Sequence, residues 1–292
     1  MSTPESTRPR ELLERSDAAA WPVTAARKAR VEERRLSWRE RLRRFFAPRV
    51  RIYQLLVLVA LLGAWEYVGQ HSENFTFAPP SSVFPAAREM ISSGELGSAV
   101  GDSLTALLLG FALAAIVGIG VGFAMGWWRT LGRTLDPFVA AFFVVPIAAL
   151  TPVIIVWLGL GMSAQVLVIF LFAVFEILLS SAAGVRNVDS AMIDVARSLG
   201  ADQRTLLWRV ALPASLPFVF VGLRIGAARA LKGMVLAEML IAVTGLGALI
   251  IKYAAAFEMD RVLVAILAIV VIGVALQGTV VAAERSVMRW RH

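Results

Sequence analysis

Long apolar runs, separated by short polar and basic breaks, set the frame of this chain. No charged residue occurs from Ser103 to Trp128, from Pro137 to Phe175 or from Val262 to Ala283. About 20 apolar residues suffice to cross a bilayer as a helix. The middle run has 39 residues, about 58 Å of continuous helix at 1.5 Å per residue, so it must fold back once. The segment Gly159-Leu160-Gly161-Met162-Ser163 is the predicted hinge, because two glycines there lower helix propensity. Together with an apolar span after Arg51 and one after Pro213, the pattern predicts six helices, at about 52–69, 103–127, 136–158, 164–184, 214–243 and 262–283. The fold class expected is all-α, a polytopic membrane protein of about six transmembrane helices with a polar insert.

Composition supports this reading. Apolar side chains make up 58% of the 292 residues and the mean hydropathy is +0.73, above the apolar share of soluble domains. Cysteine is absent, so no disulfide framework or thiolate metal site exists. The two histidines, His71 and His292, are far apart in sequence and read as solvated surface residues. Lysine occurs only at positions 28, 232 and 252; none completes the G-K-[ST] phosphate loop. Any nucleotide-driven step therefore needs a second polypeptide.

Charge fixes the topology. Residues 1–50 form a polar tail, expected to be partly disordered or a membrane-surface helix, and Arg27 to Arg51 hold eleven basic residues against three Glu. Within it Val31, Leu36, Trp38, Leu42, Phe45 and Phe46 can form part of an apolar stripe on a basic helix lying on anionic lipid. The long basic stretch and the full-length span after it predict an uncleaved first membrane helix, not a signal peptide. Arg129 and Arg133, then Arg186, Arg197, Arg204 and Arg209, then Arg285, Arg289 and Arg291 fall on the same side as the tail. The positive-inside rule then places both termini in the cytoplasm, with residues 51–292 as the transmembrane domain. Membrane tethering argues against nucleic acid as a partner of the arginine-rich tail.

Three further features stand out. The loop from Gln70 to Asp102 contains the rigid turn Ala78-Pro79-Pro80-Ser81 and an amphipathic stretch around Val83 to Ile91, either an external ledge for a partner or a connector. Gly118, Gly122 and Gly126 repeat every four residues and share one helix face, which reads as close helix packing or as a gating surface. In the fifth span Arg224, Arg229, Lys232 and Glu238 fall within about half the helix circumference and, with Glu176 in the fourth span, form a candidate translocation path. Charges inside a span face protein or water, not lipid; they either attract an anionic solute or pair with one another.

The segment between Ser190 and Pro213 is polar and charged. Asp189 or Ser190 can cap a short helix carrying Met192, Val195, Ala196 and Leu199, Gly200 breaks it, and Asp202 can cap a second one before Pro213. The run D-V-A-R-S-L-G-x9-V-A-L-P resembles the E-A-A-x-x-x-G-x9-I-x-L-P signature of bacterial ABC-importer permeases. Ala183 to Asp189, Leu212 to Pro217, Gly222 to Gly226, Ala237 to Met239 and Gly245 to Gly247 extend the likeness to the sulfonate, taurine and nitrate branch. It covers about residues 52–290. Asp194 and Val195 stand where the family has Glu and Ala, and Glu176 where the branch often has proline.

The resemblance implies a permease that is not itself an enzyme and carries no cofactor. ATP and magnesium would reside in a partner ABC ATPase, and an external solute-binding protein would deliver a small, anionic solute. A second copy of the chain would complete the pore in a bacterial inner membrane. Asp194, Val195, Ala196, Gly200 and Ala201 would form the coupling contact with the ATPase, anchored by Leu212 and Pro213. A stand-alone channel or secondary carrier is the alternative. An intramembrane enzyme is disfavoured, because no span offers a metal-binding His-Glu pair or a nucleophile with its base.

Overall fold

The computed structural model describes residues 48–71, 78–241 and 244–288, with side chains from Ile52 onward. The basic tail, including its expected membrane-surface helix, and Arg289, Arg291 and His292 lie outside the described residues. The chain divides into two compact units, Met1–Trp65 and Glu66–His292. The described part of the first is most of helix α1, Pro48–His71, whose side chains at Ile52, Leu56 and Val59 are exposed.

The second unit carries the rest. Its helices are α2 (Pro80–Ser92), α3 (Glu95–Trp127), α4 (Arg129–Val144), α5 (Ile147–Leu158), α6 (Met162–Arg186), α7 (Ser190–Ser198), the single turn α8 (Gln203–Thr205), α9 (Leu212–Leu240), α10 (Leu246–Ala255) and α11 (Met259–Val287). A π-helical turn, Leu206–Ala211, joins α8 to α9. By length and composition the described residues hold five helices able to cross a membrane, or six if the bent pair α4–α5 is one span.

That bent pair corrects the expectation of one helix over 136–158. The predicted hinge is present: α5 ends at Gly159, whose φ of +75° suits glycine. A second break occurs at Val145-Pro146, where the two helices turn by 94°. Val145 is held extended at φ −63°, ψ 126°, because the proline ring after it excludes the helical region. Apolar continuity hid this break; the proline marked it. The polar connections also hold more helix than expected. The loop from Gln70 to Asp102 contains α2 and the first turns of α3, and the one from Gly245 to Arg261 contains α10. Ala86 and Met90, on the amphipathic stretch, are buried.

The centre of the bundle is α3, α6 and α9 packed through small residues. A Cβ on Gly110, Gly118 or Gly126 would meet Ile169, Ile177 or Val185 at 2.6–2.9 Å, and one on Gly122 would strike the Leu178 carbonyl. The constant offset shows that α3 and α6 run parallel. Contacts of Gly184 with Phe218, of Gly222 with Ser180 and of Gly233 with Phe172 show that α9 runs antiparallel to α6. In lipid no hydrophobic force drives helices together, so close backbone approach supplies the packing. The sequence-level reading of Gly118, Gly122 and Gly126 as a packing face agrees with this arrangement.

Because Gly122 faces a backbone carbonyl, Gly122→Ala is expected to destabilise the bundle by about 1–3 kcal/mol. Gly120, which has open space around it, is the control: Gly120→Ala should be neutral or stabilising in thermal unfolding of the detergent-solubilised protein.

Candidate functional site

The insert is a compact pair of turns outside the bundle. Asp189 caps α7, its carboxylate accepting from the Ala191 N–H at 2.9 Å, and Asp202 caps α8 by accepting from the Thr205 N–H at 2.9 Å. The hydrogen bonds from Thr205 hold the Asp202 carboxyl below its ordinary pKa. Gly200 has φ +82°; its N–H donates to the Arg197 carbonyl and the Ala201 N–H to the Ala196 carbonyl, a Schellman ending that requires a left-handed residue. The expected stop at Gly200 is thereby explained.

The exposure of α7 decides what this insert offers. Met192, Val195 and Leu199 are 52%, 61% and 83% exposed, an apolar face with no cover among the described residues. Asp194 is exposed beside them, 4.0 Å from Arg197, while Ala196 is half-buried. The anchor lies behind. Leu206 and Ala211 are buried, and Leu212 and Pro213 open α9 directly after the π turn. The Leu212 N–H donates to the Leu207 carbonyl, five residues back. Pro213 has no N–H to give the Arg209 carbonyl, and its ring crowds that carbonyl in a regular helix; the wider turn accommodates both effects.

Along α9 the polar residues divide. Arg229 pairs with Glu176 of α6 at 2.8 Å, and Arg224 pairs with Glu284 of α11. Lys232 is exposed and has no ion-pair partner among the described residues. Glu238 sits apart from these cations. It is 1% exposed and accepts from the Gly247 N–H at 2.8 Å, while the Ser103 hydroxyl accepts from the Leu246 N–H at 2.9 Å. These two acceptors satisfy N–H groups of the first turn of α10. A Cβ on Gly245 or Gly247 would lie 2.6 or 2.5 Å from the Glu238 side chain, so G-L-G admits the carboxylate. Glu238 Oε1 is buried with no hydrogen-bond partner among the described residues.

Sequence reasoning missed Glu284 as the partner of Arg224 and a latch at the end of the bundle opposite the insert. There Glu95 accepts from Lys252 Nζ and Tyr253 Oη, both at 2.5 Å, and Arg261 pairs with Glu89 and Glu258 at 3.0 Å while lying over the Tyr253 ring. The hydrogen bond to Glu95 holds the Lys252 ammonium above its ordinary pKa. Only charge complementarity between distant loops signalled this latch, and sequence alone does not pair them.

Residues 114–289, which include the insert, α9 and α11, match the family model described as binding-protein-dependent transport system inner membrane component. The chain belongs to this family. It is a multi-pass permease component of an ABC transport system. A probable ABC transporter permease of Brucella abortus is 32% identical over 82% of this chain and 95% of the relative. The taurine transport system permease of Escherichia coli is 31% identical over 89% of this chain and 96% of the relative. The inward-facing MetNI methionine ABC transporter contains a chain of similar fold, with a TM-score of 0.58 at 18% identity, covering 67% of this chain and 97% of that one.

Two outcomes test the site geometry of this permease. A double-mutant cycle on Glu176→Gln and Arg229→Gln should give a favourable coupling of about 1 kcal/mol in thermal unfolding, since one partner is largely buried. Glu238→Leu should raise amide hydrogen exchange across the first turn of α10 and cost about 1–3 kcal/mol, whereas Glu238→Gln, which keeps an acceptor oxygen, should leave exchange near wild type.

Proposed function

We propose that this permease is the membrane subunit of an ATP-driven importer and forms the translocation path for a small anionic solute, such as an organosulfonate, handed over by an external binding protein. ATP hydrolysis belongs to a separate ABC ATPase subunit that holds ATP and magnesium. Two copies of the chain build the pore. Both termini and the insert lie in the cytoplasm, where nine arginines on one side of the predicted topology obey the positive-inside rule.

The observation that carries the reading is the apolar face of α7. Three large apolar side chains standing in water cost free energy in an isolated chain, and a cleft in a cytoplasmic ATPase removes that cost. Asp194, Val195, Ala196, Gly200 and Ala201 are the contact segment, and Leu212 and Pro213 transmit its displacement to α9. Arg224, Arg229 and Lys232, with Glu176, make up the polar residues of the path, while Glu238, buried against the Gly245–Gly247 turn, supports its wall. Lys232, exposed and without an ion pair among the described residues, is the cation best able to attract a passing anion. The taurine permease relative supports a sulfonate-like solute.

The chain, tagged and purified from its native membrane in mild detergent, is expected to bring a stoichiometric ATP-hydrolysing subunit identified by mass spectrometry. Val195→Asp and Gly200→Arg should each abolish that association while the permease itself is still recovered. Recovery of an active solute carrier without any ATPase would move the assignment to a secondary carrier. Lys232→Gln should lower solute uptake at least fivefold with assembly unchanged; unaltered uptake removes Lys232 from the path.

A further inference from the structure

A cavity of about 1000 Å³ opens at the insert end of the bundle, between the α3–α4 connection and α7. Its lining includes four arginines, Arg129, Arg133, Arg186 and Arg197, against two aspartates, Asp136 and Asp194, which leaves positive charge in excess. Of the two acids, Asp136 is already engaged. Arg186 donates to both carboxylate oxygens of Asp136 at 2.9 and 3.1 Å, and Asp194 lies 4.0 Å from Arg197. Arg129 and Arg133 have no ion-pair partner among the described residues. They are four residues apart on α4 and therefore share one face.

Three further observations give this cavity a preference for an anion. The first turn of α4 holds no acidic residue and its N-terminus has no side-chain cap, so its free N–H groups and the positive end of the helix dipole lie beside the two free guanidinium groups. The Asp136 carboxylate is directed to Arg186, and a Cβ on Gly132 would lie 2.9 Å from that same guanidinium. Arg186 is thus held in place over the α4 backbone. Trp127 and Trp128 also line the cavity, and Trp128 is 57% exposed, as suits a ring at the boundary between acyl chains and water.

We infer that this cavity is a binding site for a phosphate-bearing anion, held by Arg129 and Arg133 and the uncapped start of α4. Guanidinium forks and backbone N–H groups together match the oxygen geometry of a phosphate. Two sources supply that group: the headgroup of an anionic phospholipid entering past Trp128, and a soluble phosphate compound. The cavity shares Asp194 with the proposed ATPase contact, but Arg129 and Arg133 lie outside that segment and outside the α9 path, so anion binding to them is read separately from transport and from ATPase docking.

The full chain, purified with whatever subunits accompany it and stripped of bound lipid, is titrated by native mass spectrometry with short-chain phosphatidylglycerol, with short-chain phosphatidylcholine and with inorganic phosphate. Wild type and Arg129→Gln/Arg133→Gln are compared, with Arg285→Gln as a control for surface charge and Arg129→Lys/Arg133→Lys as the charge-retaining variant. The expected result is one saturable equivalent of phosphatidylglycerol per chain, bound at least tenfold more weakly by the Gln double variant and partly restored by the Lys variant. Saturable binding of inorganic phosphate with the same arginine dependence, and no gain from the lipid, supports the site and assigns it to a soluble ligand. Equal binding by the Gln variant, or no saturable binding of any of the three, overturns it. So does loss of a partner subunit from the Gln variant without loss of anion binding, since the arginines would then face protein.

Discussion

Backbone contact between α3, α6 and α9 is the constraint on which the rest of this permease depends. Lipid tails are as apolar as leucine, so burying a leucine between two membrane helices gains little from exclusion of water. What remains is close packing, and the glycines of α3 and α9 let the helix surfaces meet with no Cβ between them. Once the three helices are fixed, the ion pairs Arg229–Glu176 and Arg224–Glu284 can form across them. These charges are tolerated at that depth because each has a neighbour placed for it.

Capping governs the two ends of the molecule in the same way. At the insert, Asp189 and Asp202 start short helices and Gly200 ends one, so a peptide of modest length holds a defined shape outside the bundle. At the far end, the first turn of α10 would be buried with unsatisfied N–H groups, and Glu238 with Ser103 supplies acceptors from two different helices. Local polar groups thus do at the ends what small residues do in the middle.

Much of this was legible in the sequence. The apolar runs located the spans, the glycine repeat located the packing face, and the caps and stop of the insert were read residue by residue. What was not legible depended on contacts between distant segments or on single backbone events inside uniform sequence. Apolar residues on both sides of Val145-Pro146 gave the 136–158 run the look of one helix. Glu238 fell at the edge of the half-circumference read as the path, on the opposite side of the helix from Arg229, and its carboxylate reaches the Gly245–Gly247 turn. A helical wheel records angle and ignores depth, and nine residues separate Glu238 from Arg229. The pairing of Arg224 with Glu284 spans 60 residues, beyond any local pattern.

The elbow between α4 and α5 has a further consequence for how this protein can exist in a bilayer. Sixteen residues of α4 rise about 24 Å, so the break falls within the hydrocarbon thickness if α4 starts at one interface. A 94° turn there interrupts the helical ladder and leaves main-chain carbonyls and N–H groups without helical partners, while Phe142, Phe143 and Val144 beside it are 58%, 43% and 80% exposed. Hydrocarbon does not solvate free peptide groups. A solitary chain would therefore be poorly insulated at this point, and only neighbouring protein or a water-filled passage can shield it. The elbow thus places on its surroundings a demand for hydrogen-bonding partners that lipid alone does not meet.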